Sequence, residues 1–140
     1  MKITICGSMS FAKQMLDAKT KLEEMGHSVQ IPDDTDFHIS QPGFIDDLEA
    51  DLAHCIEKDL MRNHMKRVAE ADAILVLNYP KNGIDGYIGT SSFMEMGIAY
   101  YLKKNIFLFN PPPPMEKVRW AIEVRLTQPT VINGDLSLIN

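Results

Sequence analysis

The chain is poor in cysteine, lacks any long apolar run, and has no basic residue across a long acidic stretch. Its two cysteines, Cys6 and Cys55, match no metal-ligand spacing and cannot build a disulfide framework, so both are expected as free thiols in a reducing cytoplasm. At 140 residues no such staple is needed. A single domain over residues 1–140 buries roughly two-thirds of the surface its unfolded chain exposes. No apolar run approaches the roughly 20 residues of a membrane-spanning helix. The opening MKITICGSMSF holds too short an apolar stretch before Gly7 for a signal-peptide core. A soluble cytoplasmic protein with no membrane partner is therefore expected.

Positive charge is also short: 14 Lys and Arg face 19 Asp and Glu, a formal charge of -5. Affinity for polymeric nucleic acid comes from clustered Lys and Arg, so a polynucleotide is not an expected partner. The imbalance is regional. Between Gln30 and Glu57 stand eight acids and no Lys or Arg, which leaves 14 minus 11, or +3, for the remainder. Within that segment Asp33 to Asp36 (DDTD) lacks the ordered ligand spacing of an EF-hand. No metal and no redox cofactor is implied. Phe37 beside it is a candidate to stack on an aromatic ligand.

Strand and helix patterns alternate along the chain. The β-branched run Lys2–Cys6 ends at Gly7-Ser8 and is followed by helical spacing through Phe11, Met15, Leu22 and Met25, with Ser8 or Ser10 as N-cap and Gly26 as stop. Ser28–Pro32 reads as a second short strand and Asp33–Gly43 as a polar loop. Phe44–Ala71 has neither Pro nor Gly and repeats Ile45, Leu48, Leu52, Ile56, Leu60 and Val68, the pattern of one long helix or two abutting ones. Ala73–Leu77 (AILVL) is a continuous apolar run, as in a parallel strand buried on both faces. A Gly-rich loop, Asn78–Gly89, leads to a helix over Ser91–Leu102. A fourth strand at Ile106–Phe109, four prolines, a helix over Met115–Leu126 and an edge strand at Thr130–Ile132 complete the series. The expected fold class is α/β: a Rossmann-like, flavodoxin-like three-layer α/β/α sandwich with a mainly parallel sheet of four to five strands.

In such sheets ligands bind beyond the carboxyl ends of the strands. Gly7-Ser8-Met9-Ser10 lies at one of those ends, where free N–H groups, a helix dipole and hydroxyls suit a phosphate or another anion. Glu95 is the most informative single residue. From Gly86 to Leu102 it alone carries charge, in helical line with Ser92, Ala99 and Leu102. A lone carboxylate among small and apolar neighbours is costly unless it is hydrogen-bonded or used. His64 falls on the side of its helix shared with Leu60, Met61 and Val68, facing the core. Tyr79 and Tyr87 flank the Gly-rich loop and are candidates to line the pocket.

The Gly-Ser turn, ADAILVLN, the Gly-rich loop and GTSSFMEMGIAYYLKKNIFLFN together resemble the nucleoside 2-deoxyribosyltransferase family, including its 2'-deoxynucleoside 5'-phosphate N-hydrolase relatives. The likeness covers about residues 2–110, with a specific core from Ala71 to Gly97. It implies that Glu95, in the Glu-Met-Gly triplet, is the nucleophile that attacks C1' of a sugar. It also implies that His64, eight residues before Asp72, stands where the hydrolases carry a catalytic Asp and serves as the acid for the leaving base. Ser8, Ser10, Ser91 and Ser92 form the implied phosphate set with Gly7, with Lys13 in place of the hydrolases' Arg. Asn78 and Gly89 stand where transferases typically carry Asp, and Asp85 is close by, ten residues before Glu95. Those two departures weigh against a transferase.

For such chemistry Glu95 has to be ionised, and the Ser91 and Ser92 hydroxyls with the helix N–H groups are expected to keep it so. The leading reading is an N-glycosidase cleaving the bond between base and sugar C1' of a nucleoside 5'-monophosphate or deoxynucleoside. Its alternatives are a deoxyribosyltransferase and a non-catalytic nucleotide-binding or sensing domain. The nine methionines read as core filler and as a helix face for a homodimer.

Overall fold

The β-branched residues at the start of the chain do form the first strand. In the computed structural model, which describes residues 1–140, β1 spans Lys2–Gly7 and pairs in parallel with β2 (Ser28–Gln30) on one side and β3 (Ala73–Leu77) on the other. β4 (Asn105–Leu108) and the two-residue edge strand β5 (Thr130–Val131) extend the sheet, giving the order β2-β1-β3-β4-β5 with every pair parallel. This is the flavodoxin-like order. Ile3 is opposite Ala73 and Gly7 opposite Leu77, so β1 and β3 end side by side.

The two-residue period of the strands divides the core. Ile3, Ile5, Leu75 and Leu77 face one way and pack on Met15, Ala18 and Leu22 of α1 (Ala12–Glu24). Cys6, Ile74, Val76 and Leu108 face the other way, toward Val68 of α4 (Leu60–Glu70), Met96 and Ala99 of α5 (Thr90–Tyr101), and Val124 of α6 (Ala121–Leu126). That second layer carries the site. No helix is long and apolar enough to cross a membrane.

Two expectations need correction, and for a third the structure selects two abutting helices over one long one. The polar segment after β2 is not all loop: Thr35–Ser40 is a short helix, α2, held by a bond between His38 and Asp34 one turn earlier (2.7 Å) and by Thr35 Oγ1 donating to the Pro32 carbonyl (2.6 Å). The Pro- and Gly-free stretch is divided. A 3-10 turn at Phe44–Asp46 precedes α3 (Leu48–Glu57), whose N-cap Asp47 accepts the Ala50 N–H at 3.3 Å, and α4 begins after Asp59 turns left-handed at φ 51°. Asp tolerates that conformation better than most side chains, which is why the break needs no glycine. The last helix covers only Ala121–Leu126, and the residues before it form turns, with the Lys117 and Val118 N–H groups both donating to the Pro114 carbonyl at 3.1 Å. Gly86 has to be glycine: at φ +65° a Cβ there would lie 2.2 Å from the Pro111 carbonyl oxygen.

Candidate active site

A cavity of about 370 Å³ opens beyond the carboxyl end of β1, lined also by residues of α4 and of the start of α5. Its floor is built by elements the core holds rigidly. Cys6 is the last residue but one of β1 and fully buried. Val68 seats α4 against the sheet and so fixes His64 one turn earlier, and Met96 and Ala99 do the same for α5 and Glu95. Glu95 is 6% exposed and His64 9%.

The two side chains meet without being satisfied. His64 Nε2 lies 3.5 Å from Glu95 Oε2, yet neither that oxygen nor either ring nitrogen of His64 has a hydrogen-bond partner. The Cys6 thiol completes the group, the three donor atoms lying within 4.8 Å of one another. Burial dominates the electrostatics. Desolvation pushes the Glu95 carboxyl up to about 8, offset in part by the hydrogen bond from Cys6. Desolvation, reinforced by the Arg67 guanidinium, pulls His64 down to about 4. The Cys6 thiol is raised well above its ordinary value by burial and by Glu95, and stays protonated.

This corrects the expectation of a permanently ionised Glu95. No hydrogen bond joins the Ser91 or Ser92 hydroxyl to the carboxyl, and in the free protein at neutral pH Glu95 keeps its proton while His64 has none. Across that pH range the pair therefore holds one proton. A carboxylate with an imidazolium and a carboxylic acid with an imidazole contain the same atoms, and differ only in where the proton sits.

The opposite wall offers cationic and polar groups. Ser8 Oγ accepts the Ser10 N–H at 3.2 Å, as an N-cap, and also accepts from Lys81 Nζ at 2.9 Å. Lys81 opens a tight turn through Asn82 and Gly83, both left-handed, and its ammonium lies 5.5 Å from the Tyr87 ring centroid. Gly89, Thr90, Ser91 and Ser92 bring the start of α5 to the same cavity, where the first helical N–H groups have no partner within the helix. Gly7 lines the cavity as well. A third wall is acidic, with Asp34, Asp46 and Asp51 beside His38.

Of the residues singled out in the sequence, Gly7, Ser8, His64, Gly89, Ser91, Ser92 and Glu95 converge on this cavity, and so does Tyr87. Ser10, Lys13, Asn78, Tyr79 and Asp85 do not. Ser10 and Lys13 are exposed on the far side of the turn. Asn78 is fully buried and clamps the ends of β3 and β4 together: its Nδ2 donates to the Asn110 carbonyl at 2.8 Å and its Oδ1 accepts the Asn110 N–H at 2.8 Å. Tyr79 packs edge-on to Phe11 and against Phe109 on the other face of the sheet. Asp85 is exposed beside Gly86. Phe37 is not offered to a ligand, because it stacks on His54 at 4.5 Å and meets Phe44 edge-on.

Lys81 was missed. The available signal was that no other Lys or Arg occurs between Asp72 and Leu102. The acidic wall was legible as charge but not as wall, since α2 was not foreseen.

No family model matches the chain, and no curated protein does either. Among solved structures, the fold is similar to that of a 2-deoxyribosyltransferase from the psychrotolerant bacterium Bacillus psychrosaccharolyticus, at 21% identity and a TM-score of 0.50, covering 80% of this chain and 74% of that one. It is also similar to the CMP N-glycosidase BcmB of Clostridium botulinum, at 18% identity and a TM-score of 0.51, covering 94% of this chain and 84% of that one. What is shared is the fold, and it is the α/β fold that the sequence resemblance implied.

Proposed function

We propose that this chain is an N-glycosidase that cleaves the bond between base and C1' of a nucleoside 5'-monophosphate or deoxynucleoside. The observation that carries the reading is the buried Glu95–His64 pair at the cavity floor, 3.5 Å apart, with Glu95 Oε2 and both ring nitrogens of His64 lacking a hydrogen-bond partner. The two similar folds, one a deoxyribosyltransferase and the other a CMP N-glycosidase, support the same class of chemistry.

The 5'-phosphate sits on Ser8, Lys81 and the N–H groups that open α5, all of which suit an anion. This places the sugar over Glu95. As the glycosidic bond stretches, positive charge grows at C1' and favours the carboxylate, so the shared proton passes to His64. His64 then gives it to the departing nitrogen, which takes the electron pair of the C1'–N bond. Glu95 closes on C1' to form a glycosyl ester. In the second half His64, again neutral, takes a proton from water, the hydroxide oxygen bonds to C1', and Glu95 leaves as carboxylate. The products are free base and sugar phosphate, and the pair ends with the one proton it began with.

The test is release of free base from a panel of nucleoside 5'-monophosphates and the matching nucleosides, with and without a second free base. Base and sugar phosphate alone support hydrolysis. A new nucleoside would instead establish transfer, and thermal stabilisation by mononucleotides without base release would establish a binding domain. Against transfer stand Asn78, whose side chain is spent on Asn110, and Gly89, which has none.

We also propose that two copies pair through α3. That helix buries no residue, and Leu48, Leu52 and Ile56, at successive turns, are 76%, 61% and 70% exposed. Sedimentation of a dimer that Leu52→Glu converts to monomer is the expected result, and a monomeric wild type would refute it.

A further inference from the structure

The acidic wall of the cavity contains a second group of titratable side chains, which the proposed chemistry does not use. Asp34 lies at the start of α2, His38 one turn along it, and His54 on α3, and one ligand atom from each falls within 4.8 Å of the other two. His38 Nε2 is 2.7 Å from Asp34 Oδ2, and His54 Nε2 is 3.6 Å from the same oxygen. Asp34 and His38 are buried, and His54 Nε2 is buried with no hydrogen-bond partner. From this arrangement we infer that Asp34, His38 and His54 bind a zinc-class divalent metal ion.

Three features support the inference. The first is spacing. Ligand atoms about 2.0–2.2 Å from a tetrahedral zinc ion stand about 3.3 Å from one another. The observed 2.7 and 3.6 Å bracket that figure, and the two histidine nitrogens lie within 4.8 Å of each other. The second is donor type. Two imidazoles and one carboxylate select zinc, cobalt, nickel or copper over magnesium or calcium, which prefer an all-oxygen shell. Asp34 and His38 line the cavity, so the position left free by three protein ligands faces that space.

The third is what the group does for the fold. α3 contributes no buried residue to any core, and His54 is its contact with α2, stacked on Phe37 at 4.5 Å and edge-on to Phe44 at 5.4 Å. A metal shared between the two helices would fasten a wall of the cavity that apolar packing leaves loose. It would also give the orphaned nitrogen a partner. This group shares no ligand atom with the Glu95–His64 pair.

The experiment uses the full chain without a histidine tag, stripped with chelator and dialysed, titrated with zinc chloride by calorimetry and with cobalt(II) by visible absorption. One equivalent of zinc with a Kd on the order of 1 µM or tighter is expected. The cobalt form should show the intense visible bands of a tetrahedral site and no sulfur-to-metal charge transfer. Millimolar magnesium should not compete. His54→Gln and His38→Gln should each weaken zinc at least about 100-fold. Cys6→Ser and His64→Gln should bind as the wild type does. The proposal is overturned if zinc does not bind, if binding survives His54→Gln, or if Cys6→Ser abolishes it, which would move the ion to the Cys6–His64–Glu95 group. His54→Gln decides the matter even if His38→Gln misfolds, because α3 lends no residue to the core, and circular dichroism checks that it is folded.

Discussion

Two clusters of acid and histidine share one cavity and differ in how they are held. Glu95 and His64 stand on helices locked to the sheet by Val68, Met96 and Ala99, with the fully buried Cys6 between sheet and site. Asp34, His38 and His54 stand on a six-residue helix and on one that buries nothing. The inner pair is desolvated, with Glu95 Oε2 and both His64 nitrogens lacking partners, and its carboxyl is driven up to about 8 and its imidazole down to about 4. In the outer group the Asp34 carboxylate already has His38 at 2.7 Å. Rigid burial that leaves Glu95 Oε2 and the His64 nitrogens without partners makes a pair suited to moving a proton. A partnered carboxylate on loosely packed helices is fitted instead to hold something in place.

The hardest test of that contrast is Glu95→Gln, which keeps the shape and removes the nucleophile. Turnover should fall by something on the order of 10⁴, measured as base release under saturating substrate. A variant within tenfold of wild type would put the chemistry elsewhere in the cavity. Next in size is His64→Gln, expected to cost about 10² to 10⁴ in turnover, the range of a lost general acid.

The same pair predicts a bell-shaped dependence of kcat/KM on pH. Below about 4 both groups are protonated and there is no carboxylate; above about 8 both have lost their protons and there is no acid. Activity should hold between those limits, and a profile still rising through pH 9 would show that the shared proton is not used.

Lys81→Ala probes the anion wall. Losing a charge-assisted hydrogen bond should raise KM about 10- to 100-fold for nucleoside monophosphates and leave nucleosides nearly unchanged. Equal effects on both would deny that Lys81 and Ser8 read a phosphate.

The smallest effect concerns stability. The folded protein holds the Glu95 proton up to about 8 against an ordinary value of 4.5, so the contribution is fully present below 4.5 and is lost as pH rises through 8. Glu95→Gln, which never ionises, should match wild type near pH 4 and melt several degrees higher near pH 9. His64 works in the other direction between about 4 and 6.5, in both proteins, so it largely drops out of the difference. Equal melting temperatures at pH 9 would show that Glu95 is not desolvated.

Much of the architecture was legible because it rests on local patterns. The five apolar residues of β3 and the glycine turn after β1 appear where their sequences place them. The central feature of the site was legible for a related reason: a single charge in a seventeen-residue uncharged stretch must be buried or exceptional, and Glu95 is buried. What failed were elements without a periodic signal. α2 is held by an Asp–His bond and a Thr–carbonyl bond, and Asn78 and Tyr79 follow a buried strand yet serve packing, because a residue's position at a strand end does not say which way its side chain turns.

The sequence by itself determined an α/β sheet, the end of that sheet where the cavity opens, and the isolation of Glu95, since all three follow from hydrophobic period, turn residues and charge spacing. Only the tertiary structure decided that Lys81 reaches Ser8 across 73 positions, that Asp34 meets His54 from another helix, and that Glu95 and His64 come to 3.5 Å of each other out of water. Those outcomes depend on distance and on exclusion of water, and both are set by how separate elements pack.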